Sequence, residues 1–143
     1  MKDQERPLMQ VLEDYKAAVF ARDVDGLLAL YDDEVRVFDR WGAWSYRGAA
    51  AWRAVVAAWF ESHRSDRLLV EFSDPQVRAV SDIAVINVFV VYRGLSAEGL
   101  ELRSMTLALW RVAGLWKIVL EHTSAPLDHE TLKVIRSKPR EAA

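Results

Sequence analysis

The sequence predicts one α+β domain, a cone-shaped, curved antiparallel sheet with three helices packed on its concave side. Three observations carry that prediction. The first sixty residues hold apolar side chains at helical spacing. After residue 68 the period drops to two, in four long runs rich in β-branched and aromatic residues. Short turn signals separate those runs, so they read as a meander. Helices followed by a meander make an α+β pattern, and long strands in a small sheet must twist and curl.

The elements follow in order. Leu8, Val11, Leu12, Tyr15 and Val19 define the buried stripe of an amphipathic helix over residues 3–22. Asp23 is placed to cap a short second helix carrying Leu27, Leu28 and Leu30. Val35, Val37 and Asp39 alternate as one face of a short strand, which leads into an aromatic loop at residues 40–47. Gly48 marks the next boundary. Trp52, Val55, Val56, Trp59 and Phe60 then repeat at helical spacing, in a third helix ending near His63. Strands are expected at residues 68–80, 83–93, 100–112 and 115–124. Their turns are Ser81-Asp82, residues 94–99, and Ala113-Gly114. Asp74-Pro75 predicts a bulge or an edge in the first run. Asp128 is placed to cap a short helix at 130–135, and the end of the chain is expected to fray. The single domain spans 1–143, with its core at about 8–128 and a tail from 129.

At 143 residues the chain is long enough to bury roughly 70% of the surface its unfolded form exposes. The formal net charge is −2, from 19 basic and 21 acidic residues that are interspersed. Without a basic block, neither nucleic-acid nor membrane-surface binding is expected. The absence of Cys removes disulfides and thiolate chemistry. No apolar run approaches the ~20 residues of a membrane span, and no secretory signal is visible, so a cytoplasmic protein is expected. His63, His122 and His129 match no metal-ligand spacing. No phosphate loop or dinucleotide fingerprint appears, so no cofactor is expected. Ser124 lies near His122 without a nucleophile elbow around it, which argues against a serine hydrolase. Six Trp residues in so short a chain suggest that some line a cavity or an interface.

The last hairpin decides which residues face that cavity. With Ala113-Gly114 as a two-residue turn, Leu109 opposes Ile118, Leu107 opposes Leu120, Met105 opposes His122 and Arg103 opposes Ser124. These share one face, apolar near the turn and polar at its far end. The other face carries Trp110, Ala108, Thr106 and Ser104 against Lys117, Val119, Glu121 and Thr123, and reads as a homodimer interface around Trp110 and Val119. A one-residue slip would swap the two faces.

The motifs resemble a known family. Val37-Phe38-Asp39 before an aromatic loop, Tyr46-Arg47-Gly48 opening the third helix, and the ending Gly-x-Trp-x-Ile-x-x-x-His-x-Ser-x-Pro (residues 114–126) are similar to the NTF2-like superfamily. Within it the chain looks most like SnoaL-like and ketosteroid isomerase-like bacterial proteins. The resemblance covers roughly residues 8–128 and implies the NTF2-like cone. It leaves activity open, because this scaffold carries isomerases, dehydratases, cyclases, hydrolases, transport factors and association domains. Tyr15 and Asp39 look like the first-helix Tyr and first-strand Asp of ketosteroid isomerases, where such an Asp is the proton-shuttling base. The second acid of that pattern belongs on the strand at 100–112. There the inward positions are Arg103, Met105, Leu107 and Leu109, none a carboxylic acid. Many SnoaL-like relatives carry a second His where this chain has Leu120.

Each candidate has two readings. Asp39 is a general base, or the structural partner of Arg103. His122 is an acid/base or donor to a ligand, or a pocket-edge histidine bonded to backbone or Ser124. Tyr15 is a hydrogen-bond donor in the cavity, or core. Trp41, Trp44 and Tyr46 form a lid or simply a packed loop. Trp59 is core first and pocket wall second. Asn87 is hydrogen-bonded across the sheet or to a ligand. Met105, Leu120, Arg103 and Ser124 complete the expected lining. The reading is a protein with an apolar pocket for a small cyclic or aromatic organic molecule. If it is an enzyme, its chemistry is cofactor-independent acid/base catalysis of the isomerase, dehydratase or hydrolase type. The competing reading is a non-catalytic ligand-carrying or dimeric association module.

Overall fold

A computed structural model describes residues 3–65, 67–93 and 101–137. The chain runs α1 (Arg6–Ala21), α2 (Val24–Leu28), β1 (Tyr31–Phe38), β2 (Tyr46–Arg47), α3 (Ala49–Ser62), β3 (Leu69–Val80), β4 (Ile83–Arg93), β5 (Glu101–Val112) and β6 (Leu115–Ser124). The expected turn at 94–99 lies outside the described residues.

One face of α1 is buried through Leu8, Val11, Leu12, Tyr15, Ala18 and Val19, the stripe its periodicity demands. Arg22 ends the helix in the left-handed conformation, φ 51°, with its N–H bonded to Val19 O. The Asp23 carboxylate accepts the Gly26 N–H at 3.0 Å and starts α2. In α3, Trp52, Val56 and Phe60 are buried against the sheet core.

The six strands form one curved sheet in the order β2-β1-β6-β5-β4-β3. It is mixed, where an antiparallel sheet was expected: β1 runs parallel to β6, with Val37 opposite Glu121. A hairpin cannot join parallel strands, and α3 and the β3–β5 meander supply the long return. The Ala113-Gly114 turn has φ 51° and 80°, the positive pair a two-residue turn needs, and sets Val112 opposite Leu115 as expected. A bulge at Asp74-Pro75 shifts the β3–β4 register between Ser73 and Gln76.

The face under the helices is apolar, with Ala84, Ile86, Val88 and Val90 of β4 and Met105, Leu107 and Leu109 of β5 all buried. The short helix expected at 130–135 is absent. Asp128 Oδ1 accepts the Glu130 and Thr131 N–H groups at 2.9 Å each, and the segment closes as a turn with Leu127 bridged to Val134. The same capping chemistry serves either outcome, and here no buried stripe existed to prolong the turn. Leu102 N–H bonds Arg136 O at 2.9 Å, so the tail lies beside the start of β5.

Candidate functional site

A second bulge sets the composition of the interior. Leu109 pairs with Ile118, but Ala108 pairs with Leu120, which leaves Val119 as an extra residue on β6. Beyond it every side chain changes face. Glu121 and Thr123 turn inward and are 2% and 4% exposed. His122 and Ser124 turn outward and are exposed, and half-buried Leu120 goes with them. The inward placement expected for Leu120, His122 and Ser124 is therefore corrected. The expected pairs slide as well, with Leu107 opposite Glu121 and Met105 opposite Thr123.

The interior holds a cavity of about 370 Å³, within the range of small-molecule sites. Its floor is the sheet, through Asp39, Tyr92, Arg103 and Glu121. Its walls are Tyr15 of α1 and Trp52, Val55, Val56, Trp59 and His63 of α3 and its cap. Trp41 stands at the rim. Asp39 follows the buried Val35 and Val37 and keeps their inward phase.

Three hydrogen-bonded groups organise the polar floor. Asp39 Oδ1 accepts the Thr123 hydroxyl at 3.1 Å and the Arg103 Nη1 at 3.5 Å. The Asp39 and Arg103 side chains are only 15% and 14% exposed. The Arg103 guanidinium also lies over the Tyr92 ring at 5.1 Å. Deeper in, the Tyr31 hydroxyl donates to Glu121 Oε1 at 2.5 Å. The Tyr15 and Tyr92 hydroxyls bond each other at 2.9 Å. Trp59 meets Tyr92 edge-on at 5.5 Å.

Burial governs the electrostatics. It pushes the Glu121 carboxyl up to about 7 from an ordinary 4.5. The Tyr31 hydrogen bond opposes the shift, the negative Asp39 adds to it, and Arg103 opposes it again. Burial likewise raises Tyr15 and Tyr92, so both phenols keep their protons at neutral pH. The floor thus combines an Arg-paired carboxylate, a carboxyl titrating near neutrality and two protonated phenols.

Of the residues expected to form a site, Tyr15, Asp39, Trp41, Trp59 and Arg103 meet at this cavity. Met105 is inward but sealed in the core, 1% exposed. Tyr46 packs on Trp52 at 5.7 Å and donates to Trp41 O at 3.2 Å, so it buttresses the wall from behind. Trp44 is 96% exposed. It borders, with Phe38, Asp39, Arg40 and His122, a separate outer hollow of about 610 Å³. His122 stacks on Phe38 there, 5.5 Å between centroids. Asn87 lies on the outer face and donates to Thr106 Oγ1 at 2.9 Å, across the sheet. Sequence reasoning missed Glu121, Thr123, Tyr92, Tyr31 and His63. One signal was present: Ile118-Val119-Leu120 puts three apolar residues in a row, a break in alternation that a bulge explains.

Solved structures share this architecture. An NTF2-like protein of unknown function from Pseudomonas putida KT2440 is 28% identical, with TM-score 0.87, covering 95% of this chain and 96% of that one. A protein with a cystatin-like fold from Nostoc punctiforme is 14% identical, with TM-score 0.70, covering 86% and 92%. Aln2 from a Streptomyces species is 16% identical, with TM-score 0.75, covering 87% and 91%. No curated protein matches the sequence significantly. The fold is thus NTF2-like. The chain belongs to the SnoaL-like domain family, whose model matches residues 8–128.

Proposed function

We propose that the interior cavity binds a small cyclic or aromatic organic molecule and moves a proton on it without a cofactor. The observation that carries this reading is the pairing of unlike carboxyls on the polar floor of a cavity with apolar walls. Asp39 sits beside a guanidinium and serves as base. Glu121, titrating near neutrality, serves as proton donor to a ligand oxygen, a part first expected of His122 or Tyr15. Tyr15 and Tyr92 supply further O–H groups. Thr123 is a positioning residue, since its hydroxyl holds Asp39. In the elementary step Asp39 removes a proton α to a carbonyl. The electron pair moves to the carbonyl oxygen, which takes the Glu121 proton or its hydrogen bond.

The test is hydrogen–deuterium exchange at the α-carbons of 2-tetralone, followed by NMR. Wild type should exceed buffer by at least about 100-fold, and Asp39→Asn should fall to the buffer rate. Tetralone that quenches the cavity tryptophans yet exchanges no faster than in buffer would establish the carrier reading instead.

A homodimer through the outer sheet face is part of the proposal. Val80, Ile83, Trp110, Val112 and Leu115 are exposed at 79%, 64%, 42%, 51% and 61%. They form an apolar row across the turn end of β3 to β6, which a second copy would cover. Among the described residues no helix is long and apolar enough to cross a membrane, and a cytoplasmic setting completes the reading.

A further inference from the structure

Arg103 is a cation held inside the protein with little bonded to it. Its side chain is 14% exposed. Among the described residues its hydrogen bonding is one 3.5 Å contact to Asp39, at the outer limit of such a bond. Its Nε is buried and, among the described residues, has no acceptor. A guanidinium carries five N–H donors in a planar fork, and a charge withdrawn from water is retained only when anions and acceptors repay the desolvation. Asp39 repays it in part, because the same oxygen also serves Thr123. Glu121 carries little charge below neutral pH and is bonded to Tyr31. A second donor on the same cavity, the Trp52 indole N–H, is buried; it feels the Tyr31 hydroxyl but, among the described residues, meets no acceptor within hydrogen-bond geometry. The floor is therefore short of anionic oxygen, while the walls are aromatic.

We propose that the cavity takes a monoanionic aromatic or alicyclic carboxylic acid, its carboxylate on the open edge of Arg103 and its ring against Trp59. A planar carboxylate matches the guanidinium fork in shape as well as charge. One negative charge is what this floor accommodates: a dianion would set two beside Asp39 with a single cation to offset them. The proposal rests on the reading of the cavity as a ligand site, and not on the proton-transfer step.

The experiment compares 2-naphthoate with its neutral counterpart 2-naphthamide, by calorimetry at about pH 6, where the Glu121 carboxyl keeps its proton. Wild type should bind naphthoate at least about tenfold more tightly. Arg103→Gln should erase that preference and leave naphthamide binding in place. Asp39→Asn, which removes the carboxylate that Arg103 faces, should tighten naphthoate several-fold. Naphthamide bound as tightly as naphthoate by wild type would overturn the anionic class and leave the cavity reading standing. If wild type binds neither, the cavity reading falls and the proposal with it. Should Arg103→Gln lack native circular dichroism, Asp39→Asn decides: naphthoate bound no better than by wild type refutes the pairing.

Discussion

Glu121 shows how one side chain couples folding to pH. Its carboxyl is buried, and its hydrogen-bond partner, Tyr31, cannot replace the water it has lost. Because its folded value lies near 7 against an ordinary 4.5, the native state holds a proton that the unfolded chain releases earlier. The stability tied to that proton is fully present below about pH 4.5 and is lost as pH rises through about 7. The loss is on the order of 3 kcal/mol. Glu121→Gln should therefore melt higher than wild type at about pH 8 and lose this part of the pH dependence, in thermal scans across that window. A wild-type melting temperature flat across it would show that Glu121 is charged in the native state. At this scale the sequence was partly legible. Tyr15, Asp39 and Arg103 stand where regular helix and strand phase predicts. Asn87 takes the cross-sheet alternative of its two expected roles, and the sequence left both open because both faces of β4 are apolar, Ile83, Val85, Phe89 and Val91 on one and Ala84, Ile86, Val88 and Val90 on the other. Alternation cannot say which of two such faces is inside.

At the scale of the element, most of the fold was legible. Helical periodicity fixed α1 and α3, Asp23 fixed the start of α2, and Ala113-Gly114 fixed the last hairpin. What escaped was a change of phase within β6. The first half of that strand obeys the turn, and the second half obeys the bulge at Val119. Deleting Val119 should restore an unbroken ladder in the same register, with Leu120 opposite Ala108, Glu121 opposite Leu107 and Thr123 opposite Met105, so that Glu121 and Thr123 stay inward. The variant should keep the Tyr31–Glu121 and Thr123–Asp39 hydrogen bonds. We expect a loss of no more than about 1–2 kcal/mol, read from the denaturant midpoint. A collapse of that midpoint would mean that the strand slips by one residue and turns Glu121 and Thr123 outward.

At the scale of the whole molecule, the sheet has two jobs, one for each surface. Its inner surface carries the cavity, and its outer surface carries the apolar row around Trp110, whose indole N–H is bonded to Asp32 Oδ1 at 3.3 Å. That bond anchors the ring without covering it, since Trp110 remains 42% exposed. Trp110→Glu should sediment as a monomer while wild type sediments as a dimer, with unchanged far-ultraviolet circular dichroism. A variant that stays dimeric would move the interface elsewhere. Asp39 connects the two sides, since it borders both the interior cavity and the outer hollow beside His122. On the proposed reading, a hydrogen ion captured from the guest then has a rear exit to bulk water, and the base resets without the front door of tryptophans having to open.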